Sequence, residues 1–293
     1  SMNLPAFFIV LFVIGILLRG TKGAAKANNF IVILKVAAII FVIIAGAFFV
    51  NPANWDPFIP APTVITENGV SHSAYGVAGI VSGASAIFFA YVGFDAVSTQ
   101  AGEAINPKKD VPFAIIASLI ICTLLYILVS LVLTGMMHYT DFNPLGKYPD
   151  AIKAPVAYAF DIAGQPWAGY IITVAATVGL ISVLMVMIMG QSRIFLGMSK
   201  DGLIPPTFSK VNAETGVPRK NLMIIGAVIA VVAAFTPIND LAHMTSFGTL
   251  FAFTMVCVAV WILRVKQPNL QRNFKAPALP VIASLGILIN IYL

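Results

Sequence analysis

Eight apolar runs divide this chain, roughly Leu4–Leu18, Phe30–Val50, Val77–Gly102, Pro112–Met137, Trp167–Met189, Leu222–Phe235, Phe247–Leu263 and Leu279–Leu293. Most approach the ~20 residues that carry a helix across a bilayer. Hydrocarbon offers backbone polar groups no partner but one another, so a spanning segment must be a helix or a strand of a closed barrel. None of the runs alternates apolar and polar residues as barrel strands do, and helix is the expected element throughout. Only 10% of the residues are charged and mean hydropathy is +0.95, whereas soluble domains carry about 25% charged residues. The chain therefore reads as an all-α integral membrane protein, one transmembrane domain over residues 1–293 with about eight spans. The sixth run is short and frays into TPIND, which leaves its ends open.

Lysine and arginine accumulate in cytoplasmic loops. The first, third, fifth and seventh connections hold 14 of the 17 basic residues, from Arg19, Lys22 and Lys26 to Arg264, Lys266, Arg272 and Lys275. The even connections hold only Lys147 and Lys153, and Lys35 lies inside a span. The odd connections are accordingly expected in the cytoplasm, and the net charge of +6 is a signal of topology with no nucleic-acid partner behind it. This orientation would start the first span outside the cell with no basic region before it, and the last run stops short at Leu293. A piece of a longer membrane protein is expected.

Metal and enzyme chemistry find little to build on. Cys122 and Cys257 lie within apolar runs and read as small core residues, while His72, His138 and His243 have no ligand spacing. An intramembrane hydrolase would need paired acids or a Ser/His set, and Asp95 is the one acid within the runs. No metal, no cofactor and no enzymatic activity is expected.

Residues Ser82–Asn106, SGASAIFFAYVGFDAVSTQAGEAIN, begin as an apolar span and then place Gly93 and Asp95 near its middle. Irregular backbone at membrane depth is tolerated where protein buries it or where it lines a cavity, and an ionisable group there is expensive. Unwinding Phe89–Gly93 would leave a half-helix offering carbonyls to a cation, and a second half beginning near Asp95 offering N–H groups to an anion. A small zwitterion suits such a pair of ends. A continuous helix with a tolerated glycine and Asp95 as an ordinary cap is the alternative.

Lys35, in NNFIVILKVAAIIFVII, is the second ionisable residue within the runs. Counted from Asn29 it lies roughly 9 Å deep at the helical rise, and Asp95 counted from Gly102 roughly 10 Å. Snorkelling to the headgroups is one reading of this lysine. A Lys35–Asp95 pair is the other. Desolvation disfavours an ammonium and a nearby carboxylate favours it, so a proton shared by the pair would respond to conformational change.

The connections carry further signals. In GEAINPKKDVP, Asn106-Pro107 ends one helix and Asp110 caps the next. In GQSRIFLGMSKDGLIPPTFSKVN, a helix runs past the apolar stretch until Asp201-Gly202 and Pro205-Pro206 stop it. Asn51–Tyr75 has no basic residue and reads as a long loop. Met185 and Met189 share a helical face, a pattern that more often marks packing than selectivity.

Three of these stretches carry a family resemblance. FFAYVGFDAVSTQAGEAINPKKDVPFAI resembles the sixth helix and following loop of the amino acid–polyamine–organocation transporters, in phrasing nearest the cationic amino acid transporter branch. GQSRIFLGMSKDGLIP is similar to that branch's eighth helix and short cytoplasmic helix, and MTSFGTLFAFTMVCVAVWILRVKQP to its tenth. The resemblance implies a leucine-transporter-like bundle of five plus five helices in inverted repeat, of which this chain would hold the fourth to eleventh and lack the first three. It implies that the backbone carbonyls of Phe88, Phe89, Ala90 and Val92, beside Gly93, receive a substrate amine, while the absent first helix holds the carboxylate. Lys35 matches the place of a sodium ion in sodium-coupled relatives, and Lys35 with Asp95 is the expected proton-coupling pair.

The implied function is secondary active transport of an amino acid by alternating access in symport with a proton, in a multi-pass protein of the plasma membrane. Exchange of amino acids or polyamines, and a nontransporting fragment or sensor, remain open beside it. The expected partners are an amino acid, the proton and the lipid bilayer. With Asp95 the one acid in the spans, a neutral or broad substrate range is as consistent with the residues as a cationic one.

Overall fold

The computed structural model describes residues 3–292 except 68–69, 100, 102–103, 143–147, 149–150, 152–153, 213–215 and 273. Lys147, Lys153 and Gly102, the expected end of the third span, lie outside the described residues, as does Leu293. The helices are α1 Leu4–Leu18, α2 Thr21–Ala47, α3 Gly76–Ile87, α4 Ala96–Thr99, α5 Pro107–Met136, α6 Pro155–Ile162, α7 Pro166–Lys200, α8 Arg219–Phe235, α9 Ile238–Lys266 and α10 Leu279–Tyr292. Four stretches are individually long and apolar enough to cross a bilayer, namely Ala25–Ala47, Pro107–Met136, Pro166–Lys200 and Met244–Lys266, with α1 and α10 as shorter apolar helices.

This is a multi-pass helical membrane protein. Large apolar side chains such as Phe30, Phe113 and Phe247 are exposed on its helices, a pattern that suits hydrocarbon rather than water. Helix hydroxyls return to their own backbone, as in Thr173 to the Gly169 carbonyl, Thr249 to Thr245 and Ser284 to Pro280. No water is then needed to satisfy them.

Contacts divide the chain into two compact units. The first comprises residues 1–59 and 120–234. Its largest core joins Val10, Val13, Ile14 and Leu17 of α1 to Met185 and Ile188 of α7 and to Leu222 and Ala230 of α8. A second core joins Val42 of α2, Phe160 of α6 and Ala168 and Ile172 of α7, with Phe41 stacked on Phe160 at 6.3 Å. Along α2 and α7, Asn28 bonds to Ser182, Lys35 lies against Gly179, and Val42 packs with Ile172. That order makes the two helices antiparallel.

The second unit comprises residues 60–119 and 235–293. It contains an antiparallel hairpin of β1 Thr63–Glu67 and β2 Val70–Ala74, with Thr63 opposite Ala74 and Ile65 opposite His72. The stretch Asn51–Tyr75 is thus no plain loop, because the β-branched run Thr63–Thr66 favours extended backbone and pairs with Val70–Ala74. At the end of α9, Arg272 donates to the carbonyls of Leu263 and Gln267 at 3.2 and 2.7 Å. A cation there satisfies terminal carbonyls and opposes the helix dipole.

Several elements differ from the sequence expectations: α5 begins at Pro107 and α9 at Ile238, ahead of the expected Pro112 and Phe247. α2 begins at Thr21, so the depth of Lys35 counted from Asn29 covers only the apolar part of a longer helix. The short α6 was not among the eight runs, since its eight residues PVAYAFDI are too few to signal a span.

Candidate functional site

Within the second unit, α3 ends at Ile87, a 3-10 turn covers Phe88–Tyr91, and regular helix resumes only for the single turn Ala96–Thr99. Gly93 sits in this interval at φ +126°, in the region that L side chains rarely adopt and glycine enters freely. The helix is broken inside an apolar run. The local hydrogen bonds are short-range: Ala96 N–H donates to the Gly93 carbonyl at 3.1 Å and Ser98 N–H to the Asp95 carbonyl at 2.9 Å.

Asp95 does not use its carboxylate as a forward cap. Oδ1 turns back and accepts the Gly93 N–H at 3.1 Å, while Ser98 Oγ donates to the Asp95 carbonyl at 2.6 Å. The carboxylate therefore braces the turn that the glycine opens. A charged acceptor makes a stronger bond to a backbone N–H than a neutral one does, so the residue that ends the irregular stretch also holds its shape.

Phe253 of α9 lies across the break. Its ring is 6.1 Å from Phe88 in an edge-on arrangement and 5.4 Å from Phe94. One aromatic thus contacts both sides of the unwound segment. Sequence reasoning did not single out Phe253, although the FAF within the tenth-helix motif is where it lies. Phe88, Val92 and Gly93 are half-buried and Ala90 is exposed. The Phe89 backbone belongs to the 3-10 turn, while its side chain lies outside what the structure describes.

Lys35 belongs to the first unit and Asp95 to the second. Lys35 is half-buried on α2, and its stem crosses the bare backbone of Gly179 on α7. A Cβ there would stand 3.0 Å from Lys35 Cε and 3.5 Å from Cγ. Gly179 is thus the seat of the lysine stem. Seven residues earlier on the same face, Asn28 accepts the Ser182 hydroxyl at 2.6 Å. Met185 is buried in the α1–α7–α8 core and Met189 packs against it.

The amino acid permease family model matches residues 3–293. The chain belongs to the amino acid permease family. Among the permeases it resembles, the branched-chain amino acid permease BcaP of Bacillus subtilis (strain 168) is 39% identical over 291 residues, 99% of this chain and 58% of that protein. The methylthioribose transporter of the same organism is 40% identical over 280 residues, 96% of this chain and 56% of that protein. The cationic amino acid transporter 3, mitochondrial, of Arabidopsis thaliana is 36% identical over 263 residues, 90% of this chain and 41% of that protein. This permease chain spans little more than half the length of the first two relatives.

Proposed function

We propose that this chain is part of a secondary active amino acid transporter, in which the substrate amine meets the backbone carbonyls of Phe88, Phe89, Ala90 and Val92 beside Gly93. The observation that carries this reading is the break itself: an apolar helix abandoned at Ile87 and resumed at Ala96, with Gly93 at φ +126° between them. A broken helix presents backbone dipoles at membrane depth without a net charge, which suits an ammonium that must bind and then leave. Substrate then moves by alternating access, in one transmembrane domain of about eight spans whose odd connections face the cytoplasm of the plasma membrane.

The relatives' names cover branched-chain amino acids, methylthioribose and cationic amino acids. For this chain we favour a neutral amino acid. Asp95, the one acid read within the spans, spends Oδ1 on Gly93, which supports a site without a carboxylate set aside for a cationic side chain. Proton coupling is assigned to Lys35 and Asp95, and the enzyme reading is set aside. The test is uptake of radiolabelled leucine and arginine by the full-length protein in proteoliposomes, with an inward pH gradient and no sodium. Saturable leucine accumulation driven by the gradient is expected. Exchange without accumulation would favour the antiporter, and a sodium requirement would overturn proton coupling.

A further inference from the structure

The connection between α9 and α10, residues 267–278, is built around one guanidinium. Arg272 Nη1 donates to the carbonyls of Pro268 and Leu270 at 3.2 and 3.0 Å, and Nη2 to those of Leu263 and Gln267 at 3.2 and 2.7 Å. Four carbonyls thus fold the first half of the connection around a single cation and tie it to the end of α9. The loop held in this way leaves large apolar side chains outside. Leu270 is 48% and Phe274 54% exposed, beside Val265 of the last turn of α9 at 69%.

The other cations of this region are not consumed by the loop. Lys266 and Lys275 are exposed and Arg264 is half-buried, and none of the three makes a hydrogen bond or ion pair among the described residues. The surrounding sequence offers no counter-charge, since residues 241–293 contain Arg264, Lys266, Arg272 and Lys275 but neither Asp nor Glu. The stretch Met244–Lys266 is long and apolar enough to cross a bilayer, and α10 is a shorter apolar helix. Their connection therefore emerges where a span ends, at the depth of the lipid headgroups. There, long cationic side chains extend from apolar stems toward phosphate, and amphipathic surfaces settle.

We propose that the α9–α10 connection is a docking surface for anionic phospholipid headgroups. Leu270 and Phe274 enter the boundary between headgroups and acyl chains, and Lys266 and Lys275 meet the phosphates. Apolar burial and attraction to anionic lipid add together in interfacial binding. Arg272, whose two Nη atoms bond carbonyls, shapes the loop and leaves recognition of charge to the lysines. The surface is independent of which substrate is carried.

The test uses the full-length protein in liposomes of phosphatidylglycerol and phosphatidylcholine in equal parts, with one or the other lipid carrying brominated acyl chains. Phe274→Trp places an indole on the surface, and its fluorescence is read as the difference from the unmodified protein. Expected is quenching by both brominated lipids, with phosphatidylglycerol favoured roughly fivefold in apparent association at low salt. Changing both Lys266 and Lys275 to Gln should bring that ratio close to one. Added salt should shrink it as well, because exposed charges are screened over about 10 Å at 0.1 M. Equal quenching by the two lipids with both lysines in place, or a preference that survives their replacement, would overturn anionic recognition. Absence of quenching by either lipid would mean that protein covers the surface, whether further chain or a second copy, and would overturn the site. Should Phe274→Trp fail to fold, Leu270→Trp carries the same reporter at the other exposed position and is judged by the same outcomes.

Discussion

Asp95 Oδ1 accepts the N–H of Gly93 at 3.1 Å, so the acid and the glycine of the broken helix form one unit. Gly93 allows the backbone to leave the helix and Asp95 holds it in the departed conformation. Substitutions at these two positions have distinct expected outcomes.

Gly93→Leu forces a side chain onto a backbone at φ +126°, at a cost of about 1–3 kcal/mol. We predict that affinity for leucine in the full-length protein falls by roughly tenfold or more, equivalent to ~1.4 kcal/mol, while the protein still purifies as a folded species. Equilibrium binding of radiolabelled leucine measures this. Unchanged affinity would return Gly93 to the status of a tolerated helix glycine.

Asp95→Asn keeps an oxygen able to accept from Gly93 and removes the charge, whereas Asp95→Ala removes both. If the carboxylate serves as brace and proton partner, Asn should retain exchange while losing pH-driven uptake, and Ala should lose both. The Ala variant should also lose about 1.5–3 kcal/mol of stability, the scale of a hydrogen bond to a charged group. Equal behaviour of the two variants in exchange assays would exclude the brace.

Lys35→Ala is predicted to abolish pH-driven accumulation while leaving exchange largely intact, since exchange needs alternating access without net proton movement. Gly179 offers an independent route to the same group. Gly179→Leu should push the Lys35 stem off its seat, where even a Cβ comes within 3.0 Å of Cε, and reproduce the coupling defect. Its stability cost of about 1–3 kcal/mol should shrink in a Lys35→Ala background. Retained pH-driven accumulation in Lys35→Ala proteoliposomes would remove the lysine from coupling.

The turn after α2 docks on the end of α5. Asn54 Nδ2 donates to the Gly135 carbonyl at 2.7 Å and Trp55 Nε1 to Thr134 Oγ1 at 3.2 Å, over a glycine whose added Cβ would meet Val50 Cγ1 at 2.7 Å. Trp55→Phe, which keeps a ring but loses the donor, should cost about 1 kcal/mol, and Gly135→Leu about 1–3 kcal/mol by overpacking. Thermal unfolding of the full-length variants tests the order. A Gly135→Leu protein as stable as the parent would mean that the turn does not pack there as described.

Some of this was set by the sequence alone. Lipid leaves a hydrophobic run little choice but helix, so the spans of α1, α2, α5, α7, α8, α9 and α10 were readable as composition along the chain. The break was readable too, because a glycine followed by an acid in an apolar run has few uses, and glycine permits a positive φ at little cost. Other features arise only when distant segments meet. Nothing local to Phe253 says that it spans Phe88 and Phe94, nothing near Gly179 says that it seats Lys35, and the Asn221 amide finds Ser192 and Phe208 only after α7 and α8 have packed. Hydrophobic periodicity records which element forms, because that choice is made residue by residue against the solvent. Which side chains then touch is decided by packing between elements, where shape and the satisfaction of a few buried polar groups select the partners.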